Sequence, residues 1–451
     1  MRIVAGPAVV VPHSAVGSKQ DSDWLSSLIL YLPLIGVTFV AKLAIVVGGS
    51  ELIAGVPVIL GTLLLGVLTG RLKPHPRRFA LYMLVMAIMV GLSAFAAPAF
   101  VPSSLSLLLM MPLAAAFELR GAGVDSLRHQ RRILDFTLFF CLLGIAQYLA
   151  QFVIGPRLAY PIDNFGPHGL ISITKNYNAL IPLRYGASTL KANGVFLLEP
   201  SYFSQTVAVG LVMEATGPRR WMRLLIYLSG FVVAYSGTGL LMLAPALPVL
   251  IVAERRYEIL AYIAVLAVAM LVFSKPLGLE VFLDRATEFE STRSSGYARY
   301  VGGVYLFEQY LWPHPQRALF GMGSGMMFRS TPWPQFFVAE TGWVKILIEF
   351  GLVGFIAYFG FLFFCIFSAK QSPTLRACIA VTPLLSGILD PWSHALMLGL
   401  LVWMPPRPAK STFDHRAREP DLPVARTVVR SRPSRAPTTR GHAPPGRRLT
   451  S

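Results

Sequence analysis

Between residues 25 and 404 the chain is a succession of apolar runs broken by short polar connections. A helix needs about 20 apolar residues to cross a bilayer, fewer where neighbours shield its ends. The pattern predicts twelve membrane-spanning helices, at 25–47, 52–70, 79–96, 101–117, 133–154, 201–216, 221–236, 238–253, 257–273, 342–368, 375–389 and 392–404. Two longer polar segments interrupt them, 155–200 and a 68-residue loop at 274–341 between the ninth and tenth runs. The expected fold class is all-α: a polytopic helix bundle with one long loop outside the membrane.

The connections test this division independently. Arg71, Lys73, Arg77 and Arg78 fall in 71–78, and Arg120, Arg128, Arg131 and Arg132 in 118–132. Arg219, Arg220 and Arg223 follow, then Arg255 and Arg256, then Lys370 and Arg376. The alternate short connections, 48–51, 97–100, 237 and 390–391, hold no lysine or arginine. Positive charge marks the cytoplasmic side, so every basic connection lies on one side, with both termini inside. Segments 155–200 and 274–341 then face outward and carry arginines on the disfavoured side.

Composition agrees. The 451 residues are 54% hydrophobic and 14% charged, with mean hydropathy +0.59, where soluble domains carry roughly 25% charged residues. The net charge of +18 would suggest nucleic acid, but position argues otherwise. Residues 405–451 hold ten arginines and Lys410 against Asp414, Glu419 and Asp421, a net +8, with nine prolines. The expectation is a disordered basic cytoplasmic tail, either solvated without a specific partner or lying on anionic inner-leaflet lipid. Residues 1–24 are a poor signal peptide and are expected to be a retained cytoplasmic tail. Cys141, Cys365 and Cys378 sit in apolar runs and read as buried hydrophobes. No metal-ligand spacing appears, and His168 and His314, beside prolines, read as turn residues. No cofactor is implied.

The chemistry-bearing residues cluster in the outward segments. Lys191-Ala-Asn-Gly-Val-Phe-Leu-Leu-Glu199-Pro200 leads into the sixth run. Pro200 suits a helix first turn, and Glu199 ahead of it would favour the positive end of the helix dipole. A substrate-facing carboxylate is the other reading of Glu199. In the second segment Arg285, Arg293 and Arg299 precede an expected amphipathic helix bearing Tyr300, Val304, Phe307 and Leu311. Gly321-Met322-Gly323-Ser324-Gly325 reads as a flexible turn and lacks the ending of a nucleotide P-loop. Lys345 and Glu349, four apart, should form a local ion pair. Glu340 just before them is the best-placed general base. Trp343 is an interfacial anchor or a platform for a sugar. Lys42, inside the first run, is expected to snorkel or to pair with Glu51.

Taken in order, these residues resemble the O-antigen ligase and polysaccharide polymerase superfamily. The landmarks are basic-x-x-Gly-x-Phe at Lys191 to Phe196 with Glu199-Pro200, then Arg299 followed by Gly321-x-Gly323. The last is Glu349-x-Gly351-Leu352-x-Gly354 after the entry to the tenth run. The resemblance covers most of 25–404. It implies a GT-C-like membrane glycosyltransferase acting on undecaprenyl-diphosphate-linked oligosaccharide at the periplasmic face of the bacterial inner membrane. A chain-length regulator or a flippase would be its partner. Without a metal the diphosphate leaving group needs cations. The resemblance points to Arg299 and Lys191, with Arg184, Arg285 and Arg293 behind them, to Glu340 as proton acceptor, and to Glu199 and Trp343 in the substrate pocket. Ligases of the superfamily tend to carry histidine where this chain has Glu340, and arginine where it has Lys191. Polymerisation of repeat units is therefore the leading expectation. Ligase-type transfer to another acceptor comes next. A transporter or flippase, from a different class, would require paired repeats.

Overall fold

The computed structural model describes residues 24–47, 50–96, 101–120, 126–167, 169–174, 177–183, 187–260, 296–330 and 338–405, with isolated positions 272, 290, 292 and 294. Arg184, Arg285, Arg293, His168, most of the ninth apolar run and nearly all of both terminal tails lie outside them.

The described chain is mostly helical. In order come α1 (Trp24–Val40), β1 (Leu43–Val47), β2 (Ser50–Ile53), α2 (Gly55–Leu68), β3 (Leu72–Pro74), α3 (Pro76–Ala96), α4 (Pro102–Leu113), β4 (Phe117–Leu119) and α5 (Ser126–Ile154). The first outward segment holds α6 (Pro156–Ala159), α7 (Pro161–Phe165) and β5 (Ile171–Ile173), followed by α8 (Pro200–Thr216), α9 (Trp221–Ala234) and α10 (Thr238–Val252). After a π-helical turn at Tyr297–Val301 come α11 (Gly302–Tyr310), α12 (Pro315–Phe320), α13 (Met327–Ser330), α14 (Gly342–Phe367), α15 (Pro373–Ala380), α16 (Thr382–Leu385) and α17 (Pro391–Met397), which continues as a π-helical turn at Leu398–Val402. Prolines set many helix starts, because their missing N–H is unneeded there. Ser372 and Asp390 cap two of those starts, accepting from the Leu375 and Trp392 N–H groups.

Every described apolar run contains a helix, but length divides them. Pro76–Phe95, Ser126–Ile154 and Gly342–Phe367 are long and apolar enough to cross a membrane, whereas the other apolar helices have 10–17 residues. Much of the apolar surface of α3 and α5 faces outward: Leu84, Phe95, Phe139, Leu149, Phe152 and Val153 are exposed. A soluble protein rarely leaves so broad an apolar face bare; hydrocarbon would cover it.

The all-α expectation needs one correction. The end of the first run, 43–47, is a strand in an antiparallel sheet ordered β2-β1-β5, and β3 pairs with β4 in a second, two-stranded sheet. Leu-Ala-Ile-Val-Val satisfies a strand or a buried helix equally by pattern. Pairing decides it, since Leu43 sits opposite Ile173 and Val47 opposite Ser50.

The contacts between connections fall into two sets that match the charge pattern. On the basic side, the Arg120 N–H reaches the Arg71 carbonyl at 2.8 Å and Arg223 pairs with Asp135 at 2.8 Å. There too Glu254 accepts from Thr374 at 2.8 Å. On the other side, the Val46 N–H reaches the Leu170 carbonyl at 2.9 Å, that of Val101 reaches Ser324 at 2.8 Å, and that of Gly342 reaches Ser386 at 2.9 Å. Connections assigned to one side by charge thus touch others of the same side.

Candidate functional site

Segments 155–200 and 274–341 meet at Glu199 and Arg299, a hundred residues apart in sequence. Glu199 occupies the N-cap position of α8, with Pro200 behind it, yet its carboxylate does not cap the helix. It accepts instead from the Asn178 N–H at 3.1 Å, the Ser201 hydroxyl at 3.0 Å and Arg299 Nη2 at 3.3 Å. Arg299 Nη1 donates to Thr238 Oγ1 at 3.4 Å. The guanidinium sits in the π-helical turn ahead of α11, where a wider helical turn re-aims side chains. Its side chain is 26% exposed. A guanidinium has five N–H donors, so two engaged nitrogens leave donors free for a ligand.

Beside this pair lies an acid that the sequence pattern did not single out. Asp390 precedes α17, its Oδ1 accepting from the Trp392 N–H at 3.1 Å. Burial pushes its carboxyl up to about 7, against opposing hydrogen bonds from Trp392, the Tyr202 hydroxyl and Ser393, and the nearby Glu199 charge raises it further. Tyr177 meets Tyr202 edge to face at 6.3 Å between ring centroids. Burial first, then the Asp390, Glu199 and Glu340 carboxylates, push the Tyr177 phenol above its usual range. The charges of three carboxylates thus act on one partly buried tyrosine.

Folding raises the Asp390 carboxyl from 3.8 to about 7, so between those values the folded protein binds more protons than the unfolded chain. The contribution of Asp390 to stability is complete below about pH 4 and is lost as pH rises through about 7, a change of up to about 4 kcal/mol. Asp390→Asn keeps the cap acceptor and removes the titration. Its thermal midpoint in detergent should match wild type near pH 4 and exceed it at pH 8. A difference that does not vary with pH would refute this.

Glu340 is held by Lys345, whose ammonium also donates to Glu349 at 3.0 Å. The i,i+4 pair expected from sequence is present, and Glu340 extends it to a triad. Lys345 and Glu349 are fully buried, while the Glu340 side chain remains 36% exposed. Trp343 stands edge to face on Phe307 of α11 at 5.4 Å. It packs the loop helix onto α14 and stays partly exposed.

Below the triad two glycine motifs interlock. The helix α14 breaks at Gly351, with φ +62° and ψ −166°, which frees carbonyls in the preceding turn. Those of Ile348 and Glu349 accept from the Met322 and Gly323 N–H groups at 2.9 and 2.8 Å. A Cβ on Gly321 would lie 2.3 Å from the Glu349 oxygen, and one on Gly351 2.4 Å from the Leu319 carbonyl carbon. The turn read from sequence as flexible is a fitted dock.

Lys191 is 8% exposed, its N–H donating to the Ile181 carbonyl at 2.9 Å and its carbonyl accepting from the Tyr160 hydroxyl at 3.0 Å. The next residues are clamped by Gln147, whose Oε1 accepts from the N–H groups of Asn193, Gly194 and Val195 at 3.1, 3.0 and 3.3 Å. Asn193 Nδ2 donates to Asp163 at 3.2 Å, and Asp163 pairs with Lys42 at 2.6 Å. Lys42 therefore meets Asp163 in place of the expected Glu51. Gln147 and Asp163 were legible only as polar residues among apolar neighbours, a signal that names no partner.

Comparison of the chain with known protein families and with curated proteins finds no match. The resemblance to the polymerase and ligase superfamily rests on the order of the motifs quoted above.

Proposed function

We propose that the protein is an integral-membrane glycosyltransferase. It would polymerise undecaprenyl-diphosphate-linked oligosaccharide repeat units, of an exopolysaccharide or O-antigen, at the periplasmic face of a bacterial inner membrane. The observation that carries this reading is the Glu199–Arg299–Thr238 junction, which joins the two outward segments around a partly exposed guanidinium. In the reaction an acceptor sugar hydroxyl attacks the anomeric carbon of the donor. The bond to the diphosphate oxygen breaks, and the lipid diphosphate leaves with the electron pair. Arg299 supplies planar N–H donors to that leaving charge, with Lys191, Arg184, Arg285 and Arg293 as further cations of the outward segments. A carboxylate takes the hydroxyl proton, and the half-exposed Glu340 is the best-exposed candidate of the triad.

In this reading the apolar runs make twelve spans with both termini cytoplasmic, the basic tail lies on anionic lipid, and a chain-length regulator or flippase acts alongside. The deciding experiment is a deletion strain whose glycans are sized on a gel and separated by lipid carrier. Single repeat units on lipid are expected. Full-length chains on undecaprenyl diphosphate would indicate a ligase instead. Unchanged polymer would overturn the reading.

A further inference from the structure

At the basic end of the bundle a groove of roughly 250 Å³ opens between α1 and α5, lined by Tyr31, Leu34, Ile35, Arg132, Ile133 and Phe136. Five of the six are aliphatic or aromatic, and the sixth is an exposed cation at the mouth. The Arg132 guanidinium lies 5.7 Å from the centre of the Tyr31 ring. Its natural helical partner, Asp135 three residues on, is already engaged by Arg223 at 2.8 Å, and among the described residues no carboxylate pairs with Arg132. Tyr31 also leans on His129, ring centroids 4.4 Å apart, and His129 lies 3.5 Å from the Gly399 carbonyl, which fixes that wall. Away from Arg132 the apolar wall is backed by the buried Phe140, which Phe136 meets at 4.8 Å and the exposed Phe39 at 5.8 Å.

We infer that this groove binds one anionic phospholipid of the basic-side leaflet, its phosphate on Arg132 and an acyl chain along Ile35 and Phe136. A soluble anion would leave the apolar wall bare, and a zwitterionic lipid would bring its own ammonium to compete with Arg132 for the phosphate. The charge at the mouth, with Arg131 exposed on the same turn, complements the leaflet that the basic connections face. An Arg beside an aromatic ring keeps its charge available while its stem covers apolar surface. The inference depends on membrane placement and not on glycosyl transfer, so either can fail without the other.

The test uses the full chain purified in mild detergent and exchanged into micelles containing equal phosphatidylglycerol and phosphatidylcholine, with bound lipid counted by native mass spectrometry. Wild type should retain phosphatidylglycerol over phosphatidylcholine. Arg132→Ala should lower that retention about fivefold, the effect of one cation near an anionic headgroup. Arg131→Ala, at a position that does not line the groove, should leave it unchanged. Ile35→Trp, which fills the groove and spares the cation, should also lower it. Equal retention of both lipids by wild type, equal losses in the two arginine variants, or full retention by Ile35→Trp would each overturn the inference.

Discussion

Arg299→Ala is expected to abolish polymer while leaving protein level unchanged. The guanidinium is only partly buried and belongs to no apolar cluster, so its removal leaves a polar gap that water can fill and not a collapsed core. The loss should fall on the chemical step. Removing one preorganised donor from a developing charge typically costs on the order of 100- to 1000-fold in rate, enough to leave only single repeat units on lipid. Arg299→Lys should recover little, since an ammonium cannot reproduce the planar fork. Glu340→Gln offers the contrast, because it keeps shape and removes the proton acceptor, at a cost of roughly 100- to 10,000-fold. Polymer of normal length and amount from both alanine and glutamine variants, at equal protein level, would refute the assignment of the site. A loss in Arg299→Ala alone would transfer the proton to another carboxylate, and Asp390 is the one already placed beside Tyr177 and Glu199.

How much of this was legible beforehand differs by kind of signal. Helix positions followed apolar runs closely: the fifth run at 133–154 lies within α5, and Pro200, Pro373 and Pro391 stand at helix starts as their chemistry requires. The basic connections contact one another in the fold, Arg120 with Arg71 and Arg223 with Asp135 of α5, which charge alone suggested. Arg299 ahead of an amphipathic helix was found in the same way, as was the Lys345–Glu349 pair. Pairings over distance were not legible. Lys42 seemed to have Glu51 nearby and takes Asp163, 121 residues away, because the fold of the outward segment decides which carboxylate arrives. Asp390 looked like punctuation between two runs, and its meaning comes from Tyr177 and Tyr202. The glycines at 321 and 351 were each readable as permissive, but only the docked backbone shows that a side chain on either would strike the main chain of the facing segment.

Lys42→Met is expected to be strongly destabilising. The lysine and its partner Asp163 have side chains only 3% exposed, joined at 2.6 Å. Methionine follows the lysine stem in volume, so packing changes little and the loss is electrostatic. Stranding a buried charge costs about 3–5 kcal/mol. More than one bond is at stake here. Asp163 also accepts from Asn193 Nδ2, and Asn193 with Gln147 holds a backbone in which Gly194 and Val195 both adopt positive φ, +69° and +65°. Valine resists that conformation, so the segment keeps its shape only while the three N–H groups converging on Gln147 Oε1 keep theirs. An uncompensated Asp163 would pull on Asn193 or draw water inward, and the turn that carries Lys191 toward Glu199 would loosen with it. Removing both charges should therefore be milder than removing one. Lys42→Met with Asp163→Leu leaves an apolar pair and should regain most of the thermal midpoint in detergent, as buried ion pairs replaced whole by apolar residues generally do. The double variant should still polymerise less than wild type, because Asn193 Nδ2 has lost Asp163 and keeps only the Ala179 carbonyl. A Lys42→Met midpoint equal to wild type, or a double variant no more stable than the single, would show that the pair does not anchor this segment.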